Sequence, residues 1–365
     1  NVKAFRLMML QRTTTGASLT RLGFSTPERR TSSSRRTRRW WKPMGGDTSQ
    51  RGTTDAGASA KGEGDQGEFD YSFFQRTANT IKSCLFGEEP TPNMKWWSEA
   101  SVAVVTGGNK GIGYEIVRQL SQQDFHTVLT ARDPKRGEQA VERLRKETGK
   151  TIAFHTLDIA DEKSVEDFKS WVQKEYPQGI TALVNNAGFA YKGNIFGAQE
   201  LRDTLAINYS GTVRVCEALA PLIVDGDGRI VTVGSMSGRS GIIKSPQLLS
   251  RLQGSKTTPE LSGILDEFAQ GIETNTYKQN GWPGSMYGVS KLAVHLYSRR
   301  LSERLSERGV AVNVCCPGWC QTDMSSQSGP KTAAQGADTP VWLATLPPSK
   351  TTTGSFFQER KERPF

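Results

Sequence analysis

A chain of 365 residues is long enough for one large α/β domain with appendages and for a substantial core. Its net charge of +10 does not belong to the body of the protein: residues 1–46 hold eleven Lys or Arg against one acid, Glu28, and the rest balances 36 basic against 36 acidic residues. A charge-balanced body argues against nucleic-acid binding, which places its basic patch on the fold. The five cysteines are odd in number and form no pair of well-spaced pairs, so no metal site is expected and a reduced, soluble protein is the natural inference.

The leader, 1–46, is rich in Arg, Ser and Thr, nearly free of acid, and contains Arg35-Arg36-Thr37-Arg38-Arg39. That is the composition of an organellar transit peptide, with the frequent Ser and Thr favouring plastid over mitochondrion. The rival reading is a basic arm for an anionic partner, in which case the protein is cytoplasmic. The apolar run Leu7 to Leu10 is too short for a secretory or membrane segment, and no later stretch is apolar enough to span a bilayer. Residues 47–100 read as a linker. From 47 to 68 almost nothing is larger and more apolar than Ala, so the chain cannot offset the entropy of ordering. Within 69–87, Phe69, Phe73, Phe74, Ile81 and Leu85 recur at helical spacing, which predicts one short amphipathic helix docked on its own domain.

The main domain is expected over 101–365. The apolar run 102–105 reads as a buried parallel strand. It feeds into Thr106-Gly-Gly-Asn-Lys-Gly-Ile-Gly113, followed by a helix over 114–120. Strand, glycine turn and helix together form a dinucleotide-binding opening, in which glycines let the backbone approach a pyrophosphate and the helix N-terminus offers free N–H groups. Strands at 127–130, 151–155, 182–184, 229–233 and 311–315 alternate with helices at 135–148, 165–176 and 199–220. A last helix is expected at 336–346 and an edge strand at 355–357. The pattern predicts a Rossmann-type, doubly wound parallel sheet in a single α/β domain.

Two further features carry chemistry. Strand 127–130 leads into Arg132 and Asp133. An acid at a strand tip binds a ribose 2′-hydroxyl, whereas an arginine pairs with a 2′-phosphate, so Arg132, with Lys110 in the glycine turn, favours NADP over NAD. In Tyr287-Gly-Val-Ser-Lys291 a phenol and an ammonium stand four residues apart on one face of a helix, where the cation is expected to favour the phenolate and lower the tyrosine pKa.

With its glycines spaced Thr-Gly-x-x-x-Gly-x-Gly, the chain resembles the short-chain dehydrogenase/reductase family. The resemblance implies that Gly107, Asn109, Lys110, Gly111, Ile112 and Gly113 contact NADP(H), and that Asp158 and Ile159 lie near its adenine. It identifies Asn186, Ala187 and Gly188 as the family's motif after the fourth strand. It further implies that Pro317 and Gly318 wrap the nicotinamide and that Thr322 meets its carboxamide. Tyr287, Lys291, Ser235 and Asn208 are implied as the catalytic set, Asn208 holding a water near the lysine. Gly234 departs from the family's usual Ser-Ser pair, of which Ser235 is the second member; Ser237 is the alternative serine. Trp319 and Met324 are candidates for the substrate pocket, though either could equally be core packing. Cys315, Cys316 and Cys320 read as small buried hydrophobes.

Tyr287 follows Ser235 by 52 positions, an unusually long interval for the family. The insert, about 238–284, carries Leu248, Leu249, Leu252, Leu261, Ile264, Leu265 and Phe268, and is expected to form helices with an apolar face. It resembles the monomeric carbonyl reductases and the plant menthone and salutaridine reductases, which implies a monomer acting on a small-molecule ketone or aldehyde with NADPH. The alternative is a non-catalytic NADP(H)-binding sensor or scaffold.

Overall fold

The computed structural model describes residues 95–365. The leader, most of the linker, the helix expected at 69–87 and Cys84 lie outside the described residues. Eight strands form one sheet in the order β3-β2-β1-β4-β5-β6-β7-β8. They are β1 (Val102–Val105), β2 (His126–Ala131), β3 (Ile152–Thr156), β4 (Ala182–Asn185), β5 (Arg229–Val233), β6 (Ala311–Cys316), β7 (Phe356–Gln358) and β8 (Lys361–Arg363). All neighbouring pairs are parallel except β7 with β8. Phe356–Gln358 is therefore not the sheet edge expected from sequence, because the charged β8 folds back antiparallel along it.

Parallel strands buried on both faces need apolar residues on both sides of the pleat, and β1 shows how they are divided. Val102 and Val104 face one core layer, Ala103 and Val105 the other. The second layer holds helices α1 (Gly111–Gln122) and α2 (Pro134–Thr148). The first holds α3 (Glu162–Glu175), α4 (Ala198–Leu205) and α5 (Thr212–Leu219). Between α4 and α5 the expected continuous helix widens into a π turn, Ala206–Gly211.

The insert forms α6 (Pro246–Gly254) and α7 (Thr258–Glu273). Each starts with a hydroxyl cap: Ser245 accepts the Leu248 N–H and Thr257 accepts the Glu260 N–H, both at 3.2 Å. Leu261, Ile264, Leu265 and Phe268 are buried, and Phe268 stacks on Trp282 at 4.8 Å. Helix α8 (Met286–Arg304) follows and is buried along most of its length, enclosing the polar Ser290, Lys291, His295, Ser298 and Ser302 together with its apolar residues. Arg300 of α8 donates to the carbonyls of Ser255 and Thr257 at 3.0 Å, fastening the base of the insert to the helix that carries Tyr287. Helix α9 (Ala333–Thr345) packs beside α1. Residues 95–100 also sit on the domain: Trp97 stacks on Phe125 at 5.3 Å, and Trp96 lies 4.6 Å over the buried Arg229. Among the described residues no helix is long and apolar enough to cross a membrane, and no group of three or more His, Cys, Asp or Glu is placed to hold a metal.

Candidate active site

The strand order reverses direction between β1 and β4, and ligands bind at the carboxyl ends of strands flanking such a reversal. A cleft of about 1520 Å³ opens there. That exceeds the few hundred to about 1,000 Å³ of an ordinary small-ligand pocket and leaves room for a dinucleotide and a second molecule. Of the site residues expected from sequence, only Asn208 does not line it.

At one end the glycine turn joins β1 to α1. No side chain caps α1 and its first turn carries no acid, so the leading N–H groups and the positive end of the dipole stay available to an anion. A Cβ on Gly113 would lie 2.3 Å from both the Gly107 carbonyl and Asn186 Nδ2, so only glycine lets the turn close onto the β4 loop. Asn186 Nδ2 donates to the carbonyls of Thr106 and Gly107 at 3.0 and 3.1 Å, and Thr106 Oγ1 accepts the N–H groups of Asn186 and Ala187 at 3.0 Å. These residues fit a pyrophosphate cradle. Arg132 lines the cleft beyond the end of β2, while Asp133 is committed to capping α2, accepting the Arg136 N–H at 3.1 Å. Lys110 is exposed and paired with Asp323 at 2.7 Å. Thr322, the neighbour of Asp323, heads a short turn closed by Ser325.

At the other end β5 delivers Ser235, whose Oγ accepts the Ser237 N–H at 3.1 Å and so shapes the turn that follows. Helix α8, capped by Ser285 accepting the Gly288 N–H at 3.0 Å, brings Tyr287 and Lys291 to the same wall. Lys291 Nζ lies 5.8 Å from the Tyr287 ring centroid and donates to the Val233 carbonyl at 2.8 Å.

The expected lowering of the Tyr287 pKa by Lys291 is not found. Burial pushes the phenol up to about 12, and the Ser235 hydroxyl pulls against it. Burial also lowers Lys291 to about 8. Desolvation sets both values, because Lys291 is buried and Tyr287 stands half-buried in the wall of the cleft rather than on an exposed helix face.

Asn208 stands on the π turn, buried, with its amide spent on the Phe189 backbone and on Ser290 Oγ. Cys315, Cys316 and Cys320 are buried, and burial raises the Cys315 thiol well above its ordinary range. Trp319 is 61% exposed and Met324 42%, and both face the cleft rather than the core. A second hollow of about 500 Å³ reaches Tyr287 from the other side, past Tyr191, Ile195, Phe196 and Tyr277. The motifs did not reveal this mixed aromatic and polar wall, since it is assembled from segments distant in sequence. Thr106 and Ser290 were also missed. Each lies within a quoted motif, where a hydroxyl beside glycine or lysine was a signal that went unused.

The profile of the short chain dehydrogenase family matches residues 101–247 and 274–333, and the gap between the two stretches contains all of α7. The chain is 39% identical over 279 residues to "Carbonyl reductase [NADPH] 1" of Rattus norvegicus, covering 73% of this chain and 99% of the relative. It is 41% identical over 271 residues to the human protein of the same name, covering 71% and 96%. Among solved structures, salutaridine reductase from Papaver somniferum superposes with a TM-score of 0.64 at 29% identity, covering 71% of this chain and 99% of that one. Menthone neomenthol reductase from Mentha piperita gives 0.62 at 28%, covering 72% and 99%. Sheet order, cleft, motifs and relatives agree: the chain belongs to the short chain dehydrogenase family of oxidoreductases.

Proposed function

We propose that this protein is an NADPH-dependent reductase of ketones or aldehydes. The observation that carries the reading is the convergence of Ser235, Tyr287 and Lys291 on one wall of a cleft whose far end is an anion cradle bordered by Arg132. NADPH, when bound, supplies hydride to the carbonyl carbon. Tyr287 donates its proton to the oxygen that becomes the alcohol; the phenol is protonated at neutral pH even at its ordinary value of 10, and burial raises it further. Ser235 donates a hydrogen bond to the same oxygen as negative charge develops on it. Lys291 holds the nicotinamide ribose, and Arg132 and Lys110 pair with the 2′-phosphate. The printed names of the relatives, carbonyl reductases of NADPH, support the cofactor and the substrate class. The exposed Trp319 and Met324 on the cleft, and Ile195 and Phe196 on the second hollow that reaches Tyr287, support a substrate with an apolar body.

The helical insert supports a monomer, because α7 buries its apolar face on the protein's own α4. The leader's composition supports import into an organelle, preferentially the plastid; a fluorescent fusion of residues 1–100 that stayed cytosolic would remove that part of the reading. The reductase is tested with a panel of quinones, aldehydes and cyclic ketones, followed by NADPH absorbance with NADH as control. Carbonyl-dependent oxidation of NADPH well ahead of NADH is expected. Equal rates with the two cofactors would contradict the roles of Arg132 and Lys110, and no turnover across the panel would contradict the enzyme.

A further inference from the structure

Ser235 is held from behind by a residue outside every motif. His295 lies on α8, one helical turn past Lys291 and two past Tyr287, and is fully buried. Its Nε2 accepts the backbone N–H of Ser235 at 3.3 Å. The ring stands against Phe356 of β7 and against Phe365, with centroids 4.7 and 5.8 Å away. Nδ1 is buried without a hydrogen-bond partner. The imidazole has room only because position 234 is glycine: a Cβ there would lie 2.3 Å from Nε2 and 2.5 Å from a Val314 methyl. Gly234 is where the chain departs from the Ser-Ser pair of the family it resembles. The space left by that missing side chain is taken by His295.

We propose that His295 is a positioning residue for carbonyl reduction, fixing the backbone at the end of β5 through the Ser235 N–H and so aiming the Ser235 hydroxyl at the reacting oxygen. The inference rests on the roles assigned above to Ser235 and Tyr287. An imidazole nitrogen that accepts cannot carry hydrogen, so the proton belongs on Nδ1. The groups facing the ring are Lys291 from its own helix, the Gly238 backbone from the turn after β5, Val314 of β6, Phe356 and Phe365. Burial first, and the Lys291 ammonium second, push the imidazole down to about 3 against a smaller opposing pull from Gly238, so the ring is a neutral acceptor throughout the working range. If it served only to fill space, any side chain of similar volume would do as well.

His295→Leu fills the space without an acceptor, and His295→Gln restores an acceptor at comparable reach. With NADPH and the best carbonyl of the panel, the Leu variant is expected to lose about tenfold in kcat, the scale of one lost hydrogen bond, with carbonyl KM and NADPH Kd within about twofold of wild type. The Gln variant is expected to recover to within about threefold of wild type. Equal kcat in the two variants, or an effect on KM alone, overturns the positioning role. Should either variant fail to fold, nitrogen-15 NMR of the wild-type histidines decides. A His295 signal of the Nδ1–H tautomer that does not titrate between pH 5 and 9 is expected, and an Nε2–H tautomer overturns the proposal. Absence of carbonyl reduction in the wild type defeats the functional reading, whereas retained reduction with equal Leu and Gln variants defeats only the role of His295.

Discussion

The side-chain amide of Asn208 brackets the backbone of Phe189, accepting its N–H at 2.7 Å and donating to its carbonyl at 2.8 Å. The same amide donates to Ser290 Oγ at 3.0 Å, and that hydroxyl donates to the Tyr287 carbonyl at 2.8 Å. Asn208 thus ties the loop after β4 to the first turn of the Tyr287 helix, and the π turn sets the amide between them. Such turns recur at functional sites because the extra residue re-aims a side chain. Asn208→Ala leaves the part-buried Phe189 backbone groups without these partners and is expected to cost about 1 kcal/mol in denaturant unfolding. A fall in kcat should accompany it, because the loop and the helix both line the cleft. Unchanged stability and unchanged kcat would show that the loop finds other partners.

Arg132 and Asp133 are adjacent but have different tasks, and mutation should separate them. Arg132→Ala is expected to weaken NADPH binding by roughly 10–100-fold, the scale of a lost charge-assisted hydrogen bond, with little change for NADH. Asp133→Ala removes the cap of α2 and should cost about 1 kcal/mol of stability without changing cofactor preference. Fluorescence titration with each nucleotide measures the first effect and chemical denaturation the second.

Two buried basic groups, Lys291 and His295, give pH dependences of known sign. Burial lowers Lys291 to about 8, so NADPH affinity of the free enzyme should decline above about pH 8 as the ammonium is lost, and the decline should be absent from the already weakened Lys291→Met variant. For His295 the folded value of about 3 lies below the ordinary 6.5. Between those values the unfolded chain holds a proton that the folded chain does not, so this residue makes stability fall as pH drops from 6.5 toward 3. The unfolding free energy of His295→Gln, measured across that range, should fall less steeply than that of the wild type.

Much of this architecture was legible before the structure, for reasons visible in particular residues. Val102–Val105 is a short apolar run between Ser101 and Thr106, and Arg229–Val233 a β-branched stretch behind one arginine between Gly228 and Gly234; each became the expected strand. Strand β8 was not legible. Lys361-Glu-Arg363 has no apolar alternation, and its two-residue turn uses Glu359 and Arg360 at φ 54° and 57° where Asn-Gly would have been a signal. The cofactor end of the cleft was readable because it depends on local glycine spacing. The partners of Asn208, the burial that governs Tyr287, and the contact of His295 with Ser235 arise where α8 packs against the ends of β5 and the β4 loop. No local pattern encodes those distances.

The central claim is that Tyr287 is the proton donor of a carbonyl reductase, and Tyr287→Phe tests it most directly, since it removes one hydroxyl and keeps the ring. Carbonyl-dependent NADPH oxidation should fall by roughly 10²–10⁴ in kcat, the usual contribution of a positioned general acid, while NADPH Kd and melting temperature stay at wild-type values. Turnover by Tyr287→Phe at the wild-type rate would contradict the account.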